Sequence, residues 1–335
     1  MTNEVNQPAA MPAAAAFILT HRLPCAALMI LLLMAAFWLP ALLQGLPGIL
    51  VVLASTFGLG LHLLVPGLIA LITFGGGITF TIQVVTIASL GVTALAGFAL
   101  LPGLIVLTVY GLLPMLAAMA EMRTDGMRRS AQYLAFTLGG VVLISIMAGA
   151  SIQDLGLREF VASSLAPIFD GLQAQMPAGD PEAALVVEQV RQMTVGFFPG
   201  MVALGLWFVW WGDIVFARNI AVKYGFYQGS KHNLLALRFG KMLAYAFMAL
   251  LVLVNLSGGD VQYVATNTTI LLGGLLAAQG IAVGHCWLKA KGMILGISLM
   301  YLMLFIWSAM IIPFVIIGLL DIWFDYRRKF PAVGG

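Results

Sequence analysis

Residues 23–120 read LPCAALMILLLMAAFWLPALLQGLPGILVVLASTFGLGLHLLVPGLIALITFGGGITFTIQVVTIASLGVTALAGFALLPGLIVLTVYGLLPMLAAMA. The run is 98 residues long and holds no Asp, Glu, Lys or Arg. A water-soluble domain needs polar or charged connections between its elements, and this run has none to spare. It reads as several membrane-crossing helices joined by short turns, because in lipid each backbone N–H and C=O must be paired inside its own segment. Four crossings of about 20 residues fit, over 24–44, 47–70, 78–98 and 101–120. Pro47 and Pro102 fall near helix starts, where a missing N–H costs nothing. Gly75-Gly76-Gly77 is a poor helix interior, and Pro66 can open a further short helix. The stretch 66–83 therefore reads as a turn between crossings or as a re-entrant half-helix whose opened backbone lines a cavity.

The rest of the chain agrees. Of 335 residues, 62% are hydrophobic and 9% charged, where a globular chain has about 25% charged; the mean hydropathy is +1.05. The expected fold is all-α, a polytopic transmembrane helical bundle of about eight to ten spans. A β-barrel would show short alternating segments instead. Cys25 and Cys286 stand far apart with no ligand spacing around them, so they read as apolar fillers, and neither a metal nor a cofactor is expected.

Working outward, residues 1–22 form a tail ending at His21-Arg22. The apolar run behind it is too long for a cleaved signal, so the first span is retained. Glu121 to Arg129 is a charged loop with three Arg, and Ala131 to Gly149 closes a block of five spans over 23–149. Ala150 to Thr194 is the long polar segment, with six acids against Arg158 and Arg191. Leu155, Leu157, Phe160, Val161, Leu165 and Ile168 recur in it at helical spacing, which predicts two amphipathic extracytoplasmic helices on the membrane face, split near Pro177–Pro181. Five further spans are expected over 195–326, with a break near Pro313, and 327–335 is a second tail. This topology places 14 of the 16 Lys and Arg on one side, all but Arg158 and Arg191. Basic loops stay cytoplasmic, so both termini are expected inside, in the cytoplasmic (inner) membrane of a bacterium.

Few side chains in the spans can do chemistry. Asp213 lies near the end of a span, with Trp207, Trp210 and Trp211 at i, i+3 and i+4 sharing one helix face. It reads either as an interfacial acid beside Arg218 or a basic loop residue, with the tryptophans at the headgroup level, or as a buried polar group in a ligand or proton site. His62 and Gln83 are isolated polar groups in the first block; a lone His in a span reads first as an interhelical hydrogen-bond partner. Gly280 and Gly284, and Gly292 and Gly296, have the spacing that lets helix backbones approach. At the C-terminal end, Asp321 and Asp325 lie one turn apart, with Arg327, Arg328 and Lys329 following. They read as a stop-and-anchor end, or as a docking surface whose acids face basic loops.

This ending, Gly318-x-x-Asp321-x-x-x-Asp325-x-Arg327, resembles that of the YybS-like bacterial integral membrane protein family, a domain-of-unknown-function group. The Gly- and Pro-punctuated first half and the length are similar too. That group is loosely related to the substrate-capture subunits of energy-coupling-factor (ECF) vitamin transporters. The resemblance implies a compact helical bundle that holds a small molecule and docks a coupling module. Two features depart from it: the acidic segment 150–194, and a first span without the AxxxA pattern such subunits use for docking.

No P-loop, HExxH or GxSxG motif occurs, and the basic loops have a membrane explanation, so nucleic acid is not an expected partner. The expected partners are the lipid bilayer, an unidentified small molecule, and a membrane protein or coupling module. The expected function is small-molecule binding or transport without an ATPase of its own. The alternative is a scaffold or assembly subunit of a membrane complex.

Overall fold

A computed structural model describes residues 10–43, 45, 47–174 and 181–329. Pro177 and the outer parts of both expected tails lie outside them. Every regular element among the described residues is helical, as apolar sequence without alternation dictates. Six helices are long and apolar enough to cross a membrane, and up to seven if the bent pair Ile294–Ile306 and Ile311–Phe324 forms one span. The expected eight to ten come to this number for two reasons. The stretch Gly48–Leu95 counts once although it is broken inside, and Lys241–Leu256, at 16 residues, falls short of the usual length.

The chain divides into two compact units. The first contains the residues up to Leu134 together with Trp207–Leu234. Its helices are α1 (Ala13–Thr20), α2 (Arg22–Leu42), α3 (Gly48–Leu63), α4 (Val65–Leu95), α5 (Leu100–Ile105) and α6 (Leu113–Glu121). Between α5 and α6 runs a π-helical stretch, Val106–Leu112. Its core joins Cys25, Met29 and Leu33 of α2 to Val65, Ile69, Val84 and Ala88 of α4, and to Val106 and Met115. Leu64 alone separates α3 from α4, and Pro66 sits in the first turn of α4, where it breaks no hydrogen bond.

The glycine triplet reverses the chain. Gly77 has φ 75° and ψ 179°, a conformation open almost only to glycine. Thr73 and Thr81 then meet side chain to side chain at 3.2 Å, although eight residues of continuous helix would part them by about 12 Å. The two halves of α4 thus fold back on one another, and the sequence boundary placed between 70 and 78 falls at Gly77.

The second unit contains 135–206 and the residues from Leu235 onward. It takes most of α7 (Gly126–Gln153), then α8 (Leu157–Ala174), the first part of α9 (Pro181–Lys223), α10 (Lys241–Leu256), α11 (Gly259–Ala290), α12 (Ile294–Ile306) and α13 (Ile311–Phe324). Only the first of the two amphipathic helices expected in 150–194 is a separate element. The second is continuous with the following span: α9 is a single helix of 43 residues, about 65 Å long. That is twice the roughly 30 Å hydrocarbon core, so its polar first turns extend past the apolar part. Nor is the apolar stripe of α8 left for lipid. Val161, Leu165 and Phe169, spaced four apart, are buried with Val187 and Val195 of α9 and Tyr263 of α11. The break between α12 and α13 is a bend of 119°.

Candidate functional site

In the first unit His62 has two partners from other elements. Its Nδ1 lies 3.0 Å from the carbonyl of Leu33 on α2, and its Nε2 lies 2.6 Å from the hydroxyl of Tyr110. A carbonyl only accepts, so Nδ1 donates; in the neutral ring Nε2 then accepts from the Tyr110 hydroxyl. His62 thus bridges α2, α3 and the π-helical stretch. Tyr110 also lies against Trp210, with ring centroids 5.6 Å apart. It is the only tyrosine of residues 23–120, a signal the sequence carried but that its pairing with His62 alone makes meaningful. Gln83, on the second half of α4, is half-buried.

Asp213 follows Trp210 by one turn of α9. Its side chain stands against Gly67, in the first turn of α4, where an added Cβ would come within 3.3 Å of Asp213 Cβ. Asp213 Oδ2 is buried and has no hydrogen-bond partner, and so are the indole N–H groups of Trp210 and Trp211. The tryptophans are not headgroup anchors: Trp207, Trp210 and Trp211 are 0%, 1% and 4% exposed. Trp207 donates to the carbonyl of Ala131 at 2.8 Å and stacks on Trp211.

Arg218, expected beside Asp213, has other partners. Its Nη1 donates to the carbonyl of Glu121 at 2.8 Å, its Nε to Ser230 at 3.1 Å, and its guanidinium lies over the Tyr227 ring. Glu121 is wholly buried. Its carboxylate accepts from Ser130 and sits 2.5 Å from His232 Nδ1, while Asn219 exchanges two hydrogen bonds with the His232 backbone. This cluster fastens the 224–234 loop. The sequence marked Glu121 only as the first charge after the apolar run, because its partner His232 lies 111 residues away.

In the second unit the C-terminal residues form a clamp. Asp321, 4% exposed, accepts from Gln279 at 2.8 Å, from Arg327 at 2.9 Å and from the Tyr326 amide at 2.9 Å. Arg327 also donates to the carbonyls of Leu235 and Leu237 at 2.6 and 2.7 Å. Gln279 accepts from the Phe239 amide at 2.7 Å. Asp325, a left-handed cap of α13, pairs with Arg238 at 2.7 Å; Arg328 is exposed. Gly318 of α13 lies on the backbone of Leu276 and Gly280 of α11, and Gly280 on that of Phe314. Gly284 faces the Phe314 ring. Of the other pair, Gly292 has φ 68° in the turn after α11, and Gly296 of α12 lies near the Leu288 side chain of α11 and near Met293.

This unit holds several voids of ligand size, one of about 220 Å³ beside Phe160 and Pro199, and two of them share Tyr263. The first of these two, of about 200 Å³, lies among α7, α9 and α11 and is lined by Gly139, Gly140, Leu143, Pro199, Asn267 and Tyr263, among others. It is apolar in effect, because Asn267 spends its amide on Gly200 N, Gly196 O and Tyr263 O. The other, of about 540 Å³, is polar and includes Arg158, Glu159, Gln192, Asp260 and Gln262; Tyr263 lines both. The Tyr263 hydroxyl donates to the Val195 carbonyl at 2.8 Å, fixing the ring. Asp260 accepts from the Leu157 amide and Glu159 from that of Gly156, so both acids cap α8. His62, Gln83 and Asp213 line neither void. Among the described residues no three His, Cys, Asp or Glu side chains group as metal ligands.

No curated protein and no solved structure matches the chain. A family model described as a predicted membrane protein, DUF2232, matches residues 42–322. That span takes in both units and nearly all their helices, and the chain belongs to the DUF2232 family of predicted membrane proteins.

Proposed function

We propose that this protein binds a small amphiphilic molecule in the membrane, within its second unit, using no ATPase of its own. The observation that carries this reading is the pair of voids sharing Tyr263: an apolar cavity of about 200 Å³ beside a polar pocket of about 540 Å³. An apolar cavity of roughly 150 Å³ holds a benzene ring, so the first takes a short hydrocarbon segment. The second takes a polar head. Arg158 is exposed at its rim, and a guanidinium offers bidentate donors to an anionic group. We also propose the finer kinship, to the YybS-like group and to transporter capture subunits, which would agree with small-molecule binding.

The test is native mass spectrometry and thermal denaturation of the detergent-purified protein against a panel of lipids, vitamins and nucleobases. The panel is repeated on Gly140→Phe. Gly140 lines the cavity and has open space at its Cβ position, so the ring fills the void without a backbone clash. A bound amphiphile that raises the melting temperature of the native chain and not of Gly140→Phe supports the proposal; no shift across the panel, or equal shifts in both, defeats it. The scaffold alternative has less to stand on, since Asp321, Asp325 and Arg327 are engaged within their own unit. We also place the chain in a bacterial inner membrane with both termini cytoplasmic, on the charge distribution alone. Reporter fusions at each end test that, and an external C-terminus overturns it.

A further inference from the structure

The first unit carries a second kind of site, independent of the amphiphile pocket. Three observations meet at Asp213. It is an acid in an apolar helix with one carboxylate oxygen buried and unpartnered. Such an oxygen is unfavourable left bare away from water. Trp210, one turn away and 1% exposed, has a buried indole N–H with no acceptor. And the surrounding backbone is irregular: α3 gives way to α4 at Leu64, and Tyr110, against Trp210, lies in a π-helical stretch. Interrupted and π-bulged helices in membrane proteins recur where backbone and side chains surround a small ion.

Among the described residues no ion pair reaches Asp213. Arg218 lies five residues along α9, about 7.5 Å by helical rise, and is committed to Glu121 and Ser230. Tyr110, which lies against Trp210, is bonded to His62. Gly67 leaves room: its missing Cβ is what lets the acid stand against the first turn of α4. Trp210 and Asp213 lie one turn apart on α9, so a hydrated cation held by Asp213 Oδ2 would bring a water acceptor to the same helix face as the Trp210 N–H.

We infer that Asp213, with Trp210, forms an intramembrane site for a small monovalent cation, either a proton or Na⁺. The shared chemistry is one positive charge on a desolvated carboxylate oxygen.

The experiment uses the full chain in detergent with the apolar reagent dicyclohexylcarbodiimide, which modifies protonated carboxyls in apolar surroundings. Peptide mass spectrometry reads the adduct. Modification is expected on Asp213, absent in Asp213→Asn, and suppressed either by rising pH, the result for a proton site, or by Na⁺ at fixed pH, the result for a sodium site. Trp210→Phe keeps an aromatic ring, smaller than indole, and removes the N–H, and is expected to shift the protection curve several-fold. Size-exclusion profiles confirm that each variant is folded. An Asp213 left unmodified at every pH without Na⁺, or modified to the same extent at all pH and Na⁺ values, overturns the inference.

Discussion

Replacing Asp321 with alanine tests the clamp at the C-terminal end. The mutation removes the acceptor for Gln279, Arg327 and the Tyr326 amide, and leaves Arg327, whose side chain is 7% exposed, without its counter-charge. Breaking a buried ion pair from one side costs about 3–5 kcal/mol, because a desolvated charge stays behind. That is roughly a 150- to 5,000-fold change in the folding equilibrium. Arg327→Ala should cost a similar amount, since it strips Asp321 and the carbonyls of Leu235 and Leu237. The double variant should cost clearly less than the sum, as the two residues share one contact. The assay is equilibrium unfolding of the purified protein in mixed detergent and sodium dodecyl sulfate, for the four members of the cycle. A cost under about 1 kcal/mol for Asp321→Ala, or additive single effects, would refute the reasoning and return these residues to an unengaged surface.

Three further outcomes follow from other parts of the molecule. Gly77→Ala forces a side chain onto φ 75°, ψ 179° and should destabilise by about 1–3 kcal/mol, whereas Gly60→Ala, helical and with nothing within 4 Å, should be neutral or slightly stabilising; equal melting temperatures would contradict this. Glu121→Ala deprives Ser130 and His232 of their acceptor, at about 1–3 kcal/mol, so tryptic cleavage after the exposed Lys231 should speed up at least several-fold; an unchanged rate would mean the loop is held elsewhere. Gly318→Leu and Gly280→Leu each push a side chain into a facing helix backbone. Each should lower the unfolding midpoint, with a cost of about 1–3 kcal/mol or more, and tolerance of either would show that α11 and α13 do not pack there.

The absence of charge from 23 to 120 was enough to assign lipid as the solvent, helix as the structure and a crowd of short turns as the connection. Those follow from local chemistry, because an unpaired backbone group in hydrocarbon is prohibitive whatever the rest of the chain does. The Gly75–Gly77 irregularity and the amphipathic spacing of α8 were legible for the same reason, being properties of a few neighbouring residues. What each polar side chain faces is a different matter. His62 meets Tyr110 across 48 residues, Glu121 meets His232 across 111, and Arg327 meets Leu235 across 92. Spacing along the chain carries no trace of such pairings. Tertiary packing alone took Arg218 away from Asp213, buried three tryptophans that composition assigned to the interface, and turned Asp325 and Arg327 onto 235–239. It did so because a desolvated charge or N–H must find its partner wherever the fold brings one within about 3 Å.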